Sequence, residues 1–198
     1  MAIYDNDGTA NYEIGKLYDN DGTANHQIGA VYDFDGTANA LIYNAETVLY
    51  NGGMVATFEP RTYVSNSTYV YAYTDNNGDN LGGRVNYNVS GGAFYTAEAS
   101  WRTADLIDLS QYSSITVAAE VYTRWSSYNG VRLEFWDESG NSVGSISIQE
   151  NQQSATTNSE WTFSLADFNS PVKVGITAWQ TYADGRGATF KMRQMILA

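Results

Sequence analysis

The sequence predicts an all-β protein: a run of short hairpin repeats followed by an antiparallel β-sandwich. Three observations predict it. One phrase occurs three times in the first 44 residues, at a fixed spacing of 14. The composition includes 16 Tyr and 18 Gly but only 2 Pro, with many Thr and Ser, which favours strands and turns over helices. Beyond the repeats, about ten short alternating segments are separated by Gly, Asn, Asp and Ser.

The phrase runs Ile3-Tyr4-Asp5-Asn6-Asp7-Gly8-Thr9-Ala10-Asn11, then Leu17 to Asn25, then Val31 to Asn39. A fixed period marks one small unit used again, and this period is too short for a helix pair or a propeller blade. Asp5, Asp7 and Gly8 form a turn signal, as do Asp19, Asp21 and Gly22, and Asp33, Asp35 and Gly36. Asp tolerates a left-handed backbone and Gly prefers it. Each unit therefore reads as strand, tight turn, strand. Asp5, Asp7 and Thr9 also show the alternating oxygens that open a calcium loop. In that loop Gly is sixth and an acid twelfth, whereas here Gly8 is fourth and Lys16 twelfth, so the turn reading is preferred. In the third copy Phe34, Ala40-Leu41 and Tyr43 replace Asn, polar residues and Gly, as expected where a stack meets its neighbour. The junction falls near Asn44–Glu46, giving a stalk over 1–46 and a head over 47–198.

A single hairpin of this size cannot bury its apolar side. Three chains wrapped together would do so and would remove exposed strand edges. Short repeats with a Gly turn look like the shafts of trimeric viral fibres. The repeat phrase, with Leu41-Ile42-Tyr43-Asn44-Ala45-Glu46 and Leu49-Tyr50-Asn51-Gly52-Gly53, resembles the N-terminal region of phage and prophage tail-fibre or baseplate-appendage proteins of Gram-positive bacteria. That resemblance covers about a quarter of the chain by its repeats. It implies a homotrimer, attachment to other virion proteins through the repeats, and a place in the virion.

Net charge is −12. Residues 1–46 hold eight acids and one base, so −7; residues 47–198 hold 14 acids and nine bases, so −5. No basic patch is visible, so nucleic acid is not an expected partner. With no Cys, disulfides and thiol chemistry are excluded. The N-terminus lacks a basic region followed by an apolar one, so no secretory signal is expected, and the two glycosylation sequons at Asn66 and Asn88 are discounted. No run is apolar enough to span a membrane.

The head offers strands at Met54–Phe58, Tyr69–Thr74, Gly83–Val89, Phe94–Trp101, Ser114–Thr123, Val131–Trp136, Ser142–Gln149, Glu160–Leu165, Val172–Trp179 and Thr189–Leu197. Ten strands at these spacings read as an antiparallel sandwich. The phrase Ile107-Asp108-Leu109-Ser110-Gln111-Tyr112, then Trp161 to Phe168, and the last strand resemble the jelly-roll sandwiches of carbohydrate-binding and galactose-binding-like modules. Such modules often hold a structural calcium ion, and the resemblance points to Glu59 as a ligand. Arg193 and Gln194 stand where the second acid belongs, so no metal or other cofactor is expected.

Alternation assigns Ile115, Val117, Ala119 and Val121, then Val131, Leu133 and Phe135, then Val172, Val174 and Ile176, to the core. It turns Glu120, Tyr122 and Arg124 outward, with Arg132, Glu134 and Trp136, and with Lys173, Thr177 and Trp179. If these strands share a sheet, Trp136, Trp179, Tyr122, Arg124, Arg132, Glu120 and Glu134 form one face. Rings beside charged hydrogen-bonding groups suit a sugar, which stacks its CH face and bonds its hydroxyls. The plainer reading of the same residues is cross-strand packing or a subunit interface. Trp101, Trp125 and Trp161 are placed in the core or at its rim.

Catalysis is not expected. His26 is the one histidine, and its position is Tyr12 in the first repeat and Ala40 in the third. Glu120 and Glu134 are the candidate glycosidase pair, but Arg124 and Arg132 lie beside them. The sequence reading is thus a non-enzymatic, trimeric receptor-binding protein of a phage tail whose head binds bacterial cell-surface polysaccharide. A purely structural virion fibre and a stand-alone carbohydrate-binding module are the alternatives.

Overall fold

The computed structural model describes the backbone alone for residues 3–6, 11–14, 18–20, 25–27, 30–34 and 39–44. From residue 46 onward it describes all but 54, 66–69, 77–79, 88–93, 124–127, 151–156, 169 and 183–186, with side chains omitted at 70, 71, 87, 94, 95, 150, 157, 158 and 182. The chain divides into two compact units, Met1–Thr47 with Ala198, and Val48–Leu197.

The first unit holds β1 (Ile3–Asn6), β2 (Asn11–Ile14), β3 (Tyr18–Asn20), β4 (Asn25–Gln27), β5 (Ala30–Phe34) and β6 (Asn39–Asn44). They pair only within a repeat, as three two-stranded antiparallel sheets. The registers match: Asp5 faces Tyr12, Asp19 faces His26 and Asp33 faces Ala40. Asp5, Asp19 and Asp33 are therefore strand residues, which corrects their assignment to the turns. The ladders close at Asn6–Asn11, Asn20–Asn25 and Phe34–Asn39, so the strands run through the first two residues of each Asp-x-Asp-Gly pattern. Asp7, Gly8, Asp21, Gly22, Asp35 and Gly36 lie outside the described residues. In the third hairpin the register shifts between Val31 and Tyr32, where Tyr43 replaces the Gly of the other copies.

The second unit continues with β7 (Thr47–Asn51), β8 (Phe58–Val64), β9 (Val70–Asn76), β10 (Leu81–Tyr87), β11 (Phe94–Thr103), β12 (Ser114–Thr123), β13 (Asn129–Trp136), β14 (Ser142–Glu150), β15 (Thr157–Ser164), β16 (Lys173–Tyr182) and β17 (Ala188–Leu197). A 3₁₀ turn at Leu109–Gln111 precedes β12, capped by Asp108, whose side chain accepts from Ser110 N–H. One sheet runs β15-β12-β17-β10-β9, with β7 also on β17; the other runs β14-β13-β16-β11-β8. Apart from the β9–β10 and β13–β14 hairpins, consecutive strands cross from one sheet to the other, the jelly-roll path that the resemblance implies. Among the described residues no helix is long and apolar enough to cross a membrane.

The core lies between the sheets because strand alternation drives one side of each strand inward. In β12 Ile115, Val117, Ala119 and Val121 are buried while their neighbours are half-buried. They pack in one cluster with Leu133 and Phe135 of β13, Val174 and Ile176 of β16, and Phe190 and Met192 of β17. Trp101 joins them, its indole N–H donating to Gly82 O at 2.9 Å, and Trp161 is partly buried at the edge. Trp125 lies outside the described residues. Inward Gln149 is paired too, donating to Thr123 Oγ1 at 3.0 Å.

One strand departs from expectation. Of the expected Met54–Phe58, Val55, Ala56 and Thr57 are not strand residues and Phe58 opens β8: Gly52 adopts φ 64° and turns the chain, and Ala56 N–H folds back to Leu49 O at 2.9 Å. The strands lie on either side instead, at β7 and β8. β8 contains Pro60 and occupies a sheet edge, where a missing N–H leaves no ladder bond unmade.

Candidate functional site

The outer face of the β14-β13-β16-β11-β8 sheet collects more chemistry than any other described surface. Cross-strand register sets its rows. Trp179 of β16 pairs with Glu98 of β11, which pairs with Tyr63 of β8. In the next row Ser147, Arg132, Thr177, Ser100 and Arg61 follow one another from β14 to β8. The third row is Ser145, Glu134, Gly175, Arg102 and Glu59. Beside it Trp136 pairs with Lys173. A Cβ at Gly175 would collide with the Trp101 carbonyl oxygen, so β11 and β16 come together there only because the position is glycine.

Arg132 organises the first half of the face. Its Nε and Nη2 donate to Glu134 Oε2 and Oε1 at 3.0 and 2.9 Å, a two-pronged contact, and Nη2 reaches Glu98 Oε1 at 2.9 Å. The Glu134 side chain is only 2% exposed. Such a buried carboxylate is tolerable because its oxygens are paired and hydrogen-bonded. Thr177 Oγ1 donates to Glu134 Oε2 at 2.7 Å. Ser100 Oγ lies 2.9 Å from Thr177 Oγ1 and must be the donor, since the threonine proton is already committed. The Arg132 guanidinium carbon also lies 5.9 Å from the Trp179 ring centre. The Trp179 indole N–H meets no acceptor among the described residues.

Glu59 organises the second half. Its Oε1 accepts from Arg102 Nε at 2.8 Å and Nη2 at 2.7 Å, and from Lys173 Nζ at 2.9 Å. The Lys173 hydrogen bond, followed by the Arg102 hydrogen bond and both nearby positive charges, outweighs burial and holds the Glu59 carboxyl below its usual range. Arg102 also lies 5.6 Å from the Trp136 ring centre. Arg61 Nη1 donates to Gly140 O at 3.1 Å, tying the β13–β14 turn to the same face. That turn is closed by Asp137, whose carboxylate accepts from Asn141 N and Nδ2 at 2.8 and 3.1 Å. The Asn141 side-chain bond first, and its backbone bond next, lower the Asp137 carboxyl also.

A pH dependence follows from Glu59. A carboxyl lowered on folding adds stability that is complete above the unfolded value and is lost as pH falls through the folded one. Glu59→Gln should therefore lower the thermal midpoint at pH 7, and the gap from the parent should close as pH drops below about 4. A gap unchanged at pH 3 would mean that the carboxylate's charge contributes nothing.

The structure brings together Trp136, Trp179, Arg132 and Glu134 from the sequence-predicted set, and separates Glu120 and Tyr122 from them. Glu120 and Tyr122 belong to β12, in the opposite sheet, so they face outward on the other side of the sandwich. Arg124 lies outside the described residues. Trp136 is on the expected face but only 2% exposed, with Arg102 against it. It is a floor residue, not a free platform. The accessible rings are Trp179 and Tyr63, the latter 49% exposed. Because Glu120 and Glu134 lie on opposite faces, they do not form an acid pair. Glu59, named as a calcium ligand, instead has one oxygen surrounded by a guanidinium and an ammonium group. Sequence reading missed Tyr63, Arg61, Glu98, Ser100 and Arg102. The alternation of Ala97, Ala99 and Trp101 inward marks Glu98, Ser100 and Arg102 as outward, and was the signal for three of them.

No protein-family model and no curated protein matches the chain. Among solved structures it is similar to the enzymatically active domain of tailspike protein 4 of bacteriophage CBA120, at 14% identity and TM-score 0.44. That match covers 70% of this chain and 19% of the tailspike chain. It is also similar to a family 11 carbohydrate-binding module of Clostridium thermocellum, solved with a β-1,3-1,4-mixed-linked tetrasaccharide. Identity there is 14% and TM-score 0.43, covering 77% of this chain and 94% of that one. A third, TmCBM61 with β-1,4-galactotriose, shows 13% identity, TM-score 0.35, and coverage of 69% and 86%.

Proposed function

We propose that the head is a non-catalytic glycan-binding module carried on a trimeric phage-tail appendage, and that it contacts bacterial surface polysaccharide through the outer face of the β14-β13-β16-β11-β8 sheet. The row Tyr63–Glu98–Trp179, flanked by Arg132, carries this reading. Two rings separated by a carboxylate and bordered by a guanidinium offer stacking surfaces together with donors and acceptors for hydroxyls. The charged groups are already held by one another, so they are preorganised and a sugar need not order them.

Binding without catalysis is supported by Glu134, which is buried and engaged by Arg132 and Thr177 instead of standing free as an acid or base. The trimer is supported by the hairpins, each too small to be stable alone. Three weak heads on one stalk would gain avidity.

Trp179→Ala combined with Tyr63→Ala should weaken retention on host-wall polysaccharide about 30-fold, the size of a typical aromatic hot spot at ~2 kcal/mol. Undiminished retention by a folded double variant would sink the proposed face. Retention on purified tail parts, with none on polysaccharide, would assign the head to particle assembly. Light scattering on the full chain should give the mass of three chains.

A further inference from the structure

The opposite face of the sandwich carries a second set of groups. Tyr73 of β9, Arg84 of β10, Thr189 of β17 and Tyr122 of β12 are successive cross-strand partners, and so form one row over four strands. The adjacent row is Asp75, Gly82, Lys191 and Glu120. Thr189, the short residue between Arg84 and Tyr122, leaves a depression in the first row; in the second, the Asp75 carboxylate lies over Gly82, in the place a Cβ there would take. The depression is lined by Arg84, Glu120, Tyr122, Thr189 and Lys191. With strands about 4.8 Å apart, a four-strand row spans roughly 14 Å.

The electrostatics differ from those of the other face. Lys191 Nζ lies 3.8 Å from Glu120 Oε2, with side chains 51% and 30% exposed. That contact is longer than those of the Arg132 and Glu59 networks, and Lys191 is more exposed than any base in them, so both groups keep hydrogen-bonding capacity for a ligand. Arg84 leans on Tyr73, its Nη1 donating to the phenol oxygen at 3.3 Å and its carbon 6.0 Å from the ring centre. The depression is lined by two bases, Arg84 and Lys191, and one acid, Glu120, and the Asp75 carboxylate over Gly82 stands beside it as the second acid.

We infer that this trough is a second glycan site, selective for a neutral, hydroxyl-rich chain, so that one head holds a glycan strand on each side. Balanced charge gives an anionic or cationic polymer no net attraction. A polyol, by contrast, needs donors and acceptors side by side. Arg84 and Lys191 donate, Glu120 accepts, Thr189 does either, and the Tyr122 ring supplies the apolar wall. The site rests on its own geometry and does not require the Trp179 face to bind.

The test is calorimetric titration of the full chain with neutral gluco-, galacto- and manno-oligosaccharides, and with a uronate oligosaccharide for comparison. Parent, Tyr122→Ala, Trp179→Ala and the double variant are compared, each checked for an unchanged circular dichroism spectrum. Glu120→Gln, which keeps the side chain's size, replaces Tyr122→Ala if that variant loses the fold. Two sites per chain in the parent, one in each single variant and none in the double variant are expected. An unchanged stoichiometry in Tyr122→Ala overturns the second site, as does a single parental site removed by Trp179→Ala. Preference of the Tyr122-dependent site for the uronate overturns its neutral assignment. Loss of binding in Tyr122→Ala with none in Trp179→Ala upholds this site and sinks the other face. Absence of heat with every sugar overturns both.

Discussion

Replacing Phe135 by alanine should lower the free energy of unfolding by about 3–5 kcal/mol, the range for removing a buried phenylalanine and leaving the space unfilled. Phe135 is fully buried, and its ring centre lies 3.9 Å from that of Phe168 at 32°. The neighbourhood is built around this pair. Gly144 on the adjacent strand leaves room for Phe168, since a Cβ there would come within 3.0 Å of its ring. Collapse into the vacated space is limited because the sheet backbones on both sides are fixed by their ladders. Urea unfolding should show a lower midpoint with an unchanged slope. A loss below 1 kcal/mol would mean that Phe168 refills the cavity.

Glu134→Ala, one residue earlier and on the other face of the same strand, should cost about 2–3 kcal/mol, somewhat less than breaking a fully buried ion pair. Alanine would leave Arg132 with Glu98 alone and Thr177 without its acceptor. Arg132 is 23% exposed, so water compensates part of the loss. Glu134→Gln should cost less, because the amide oxygen can still accept from Arg132 and Thr177. A Glu134→Ala protein as stable as the parent would show that the network is ornamental to the fold. The two losses differ in kind, since Glu134→Ala should also disturb the Arg132–Trp179 contact and weaken glycan retention.

The faces of single strands are legible in the sequence. Ile115 to Val121 and Val131 to Phe135 alternate plainly, and each residue assigned inward is buried. Sheet membership is not legible. Every strand of a sandwich has an inner and an outer side, so Glu120 and Glu134 both read as outward though they face opposite directions. Their pairing depends on which sheet each strand joins, β12 in one and β13 in the other, and alternation carries no trace of that choice. Trp136 shows a second limit. Its outward position was readable, but its burial depends on Arg102, 43 residues from Glu59, which holds the guanidinium in place. β8 was missed because Glu59-Pro60-Arg61 reads as a loop, whereas a sheet edge accepts proline.

The hairpin ladders have one more implication. Each closes entirely within its own copy, so gain or loss of a copy would add or remove one whole hairpin and leave the pairing of the others as it was. Length can then drift by recombination among near-identical coding segments while the residues beyond Glu46 stay as they are. Related chains carrying two, four or more copies ahead of the same sandwich are what such a construction would leave behind.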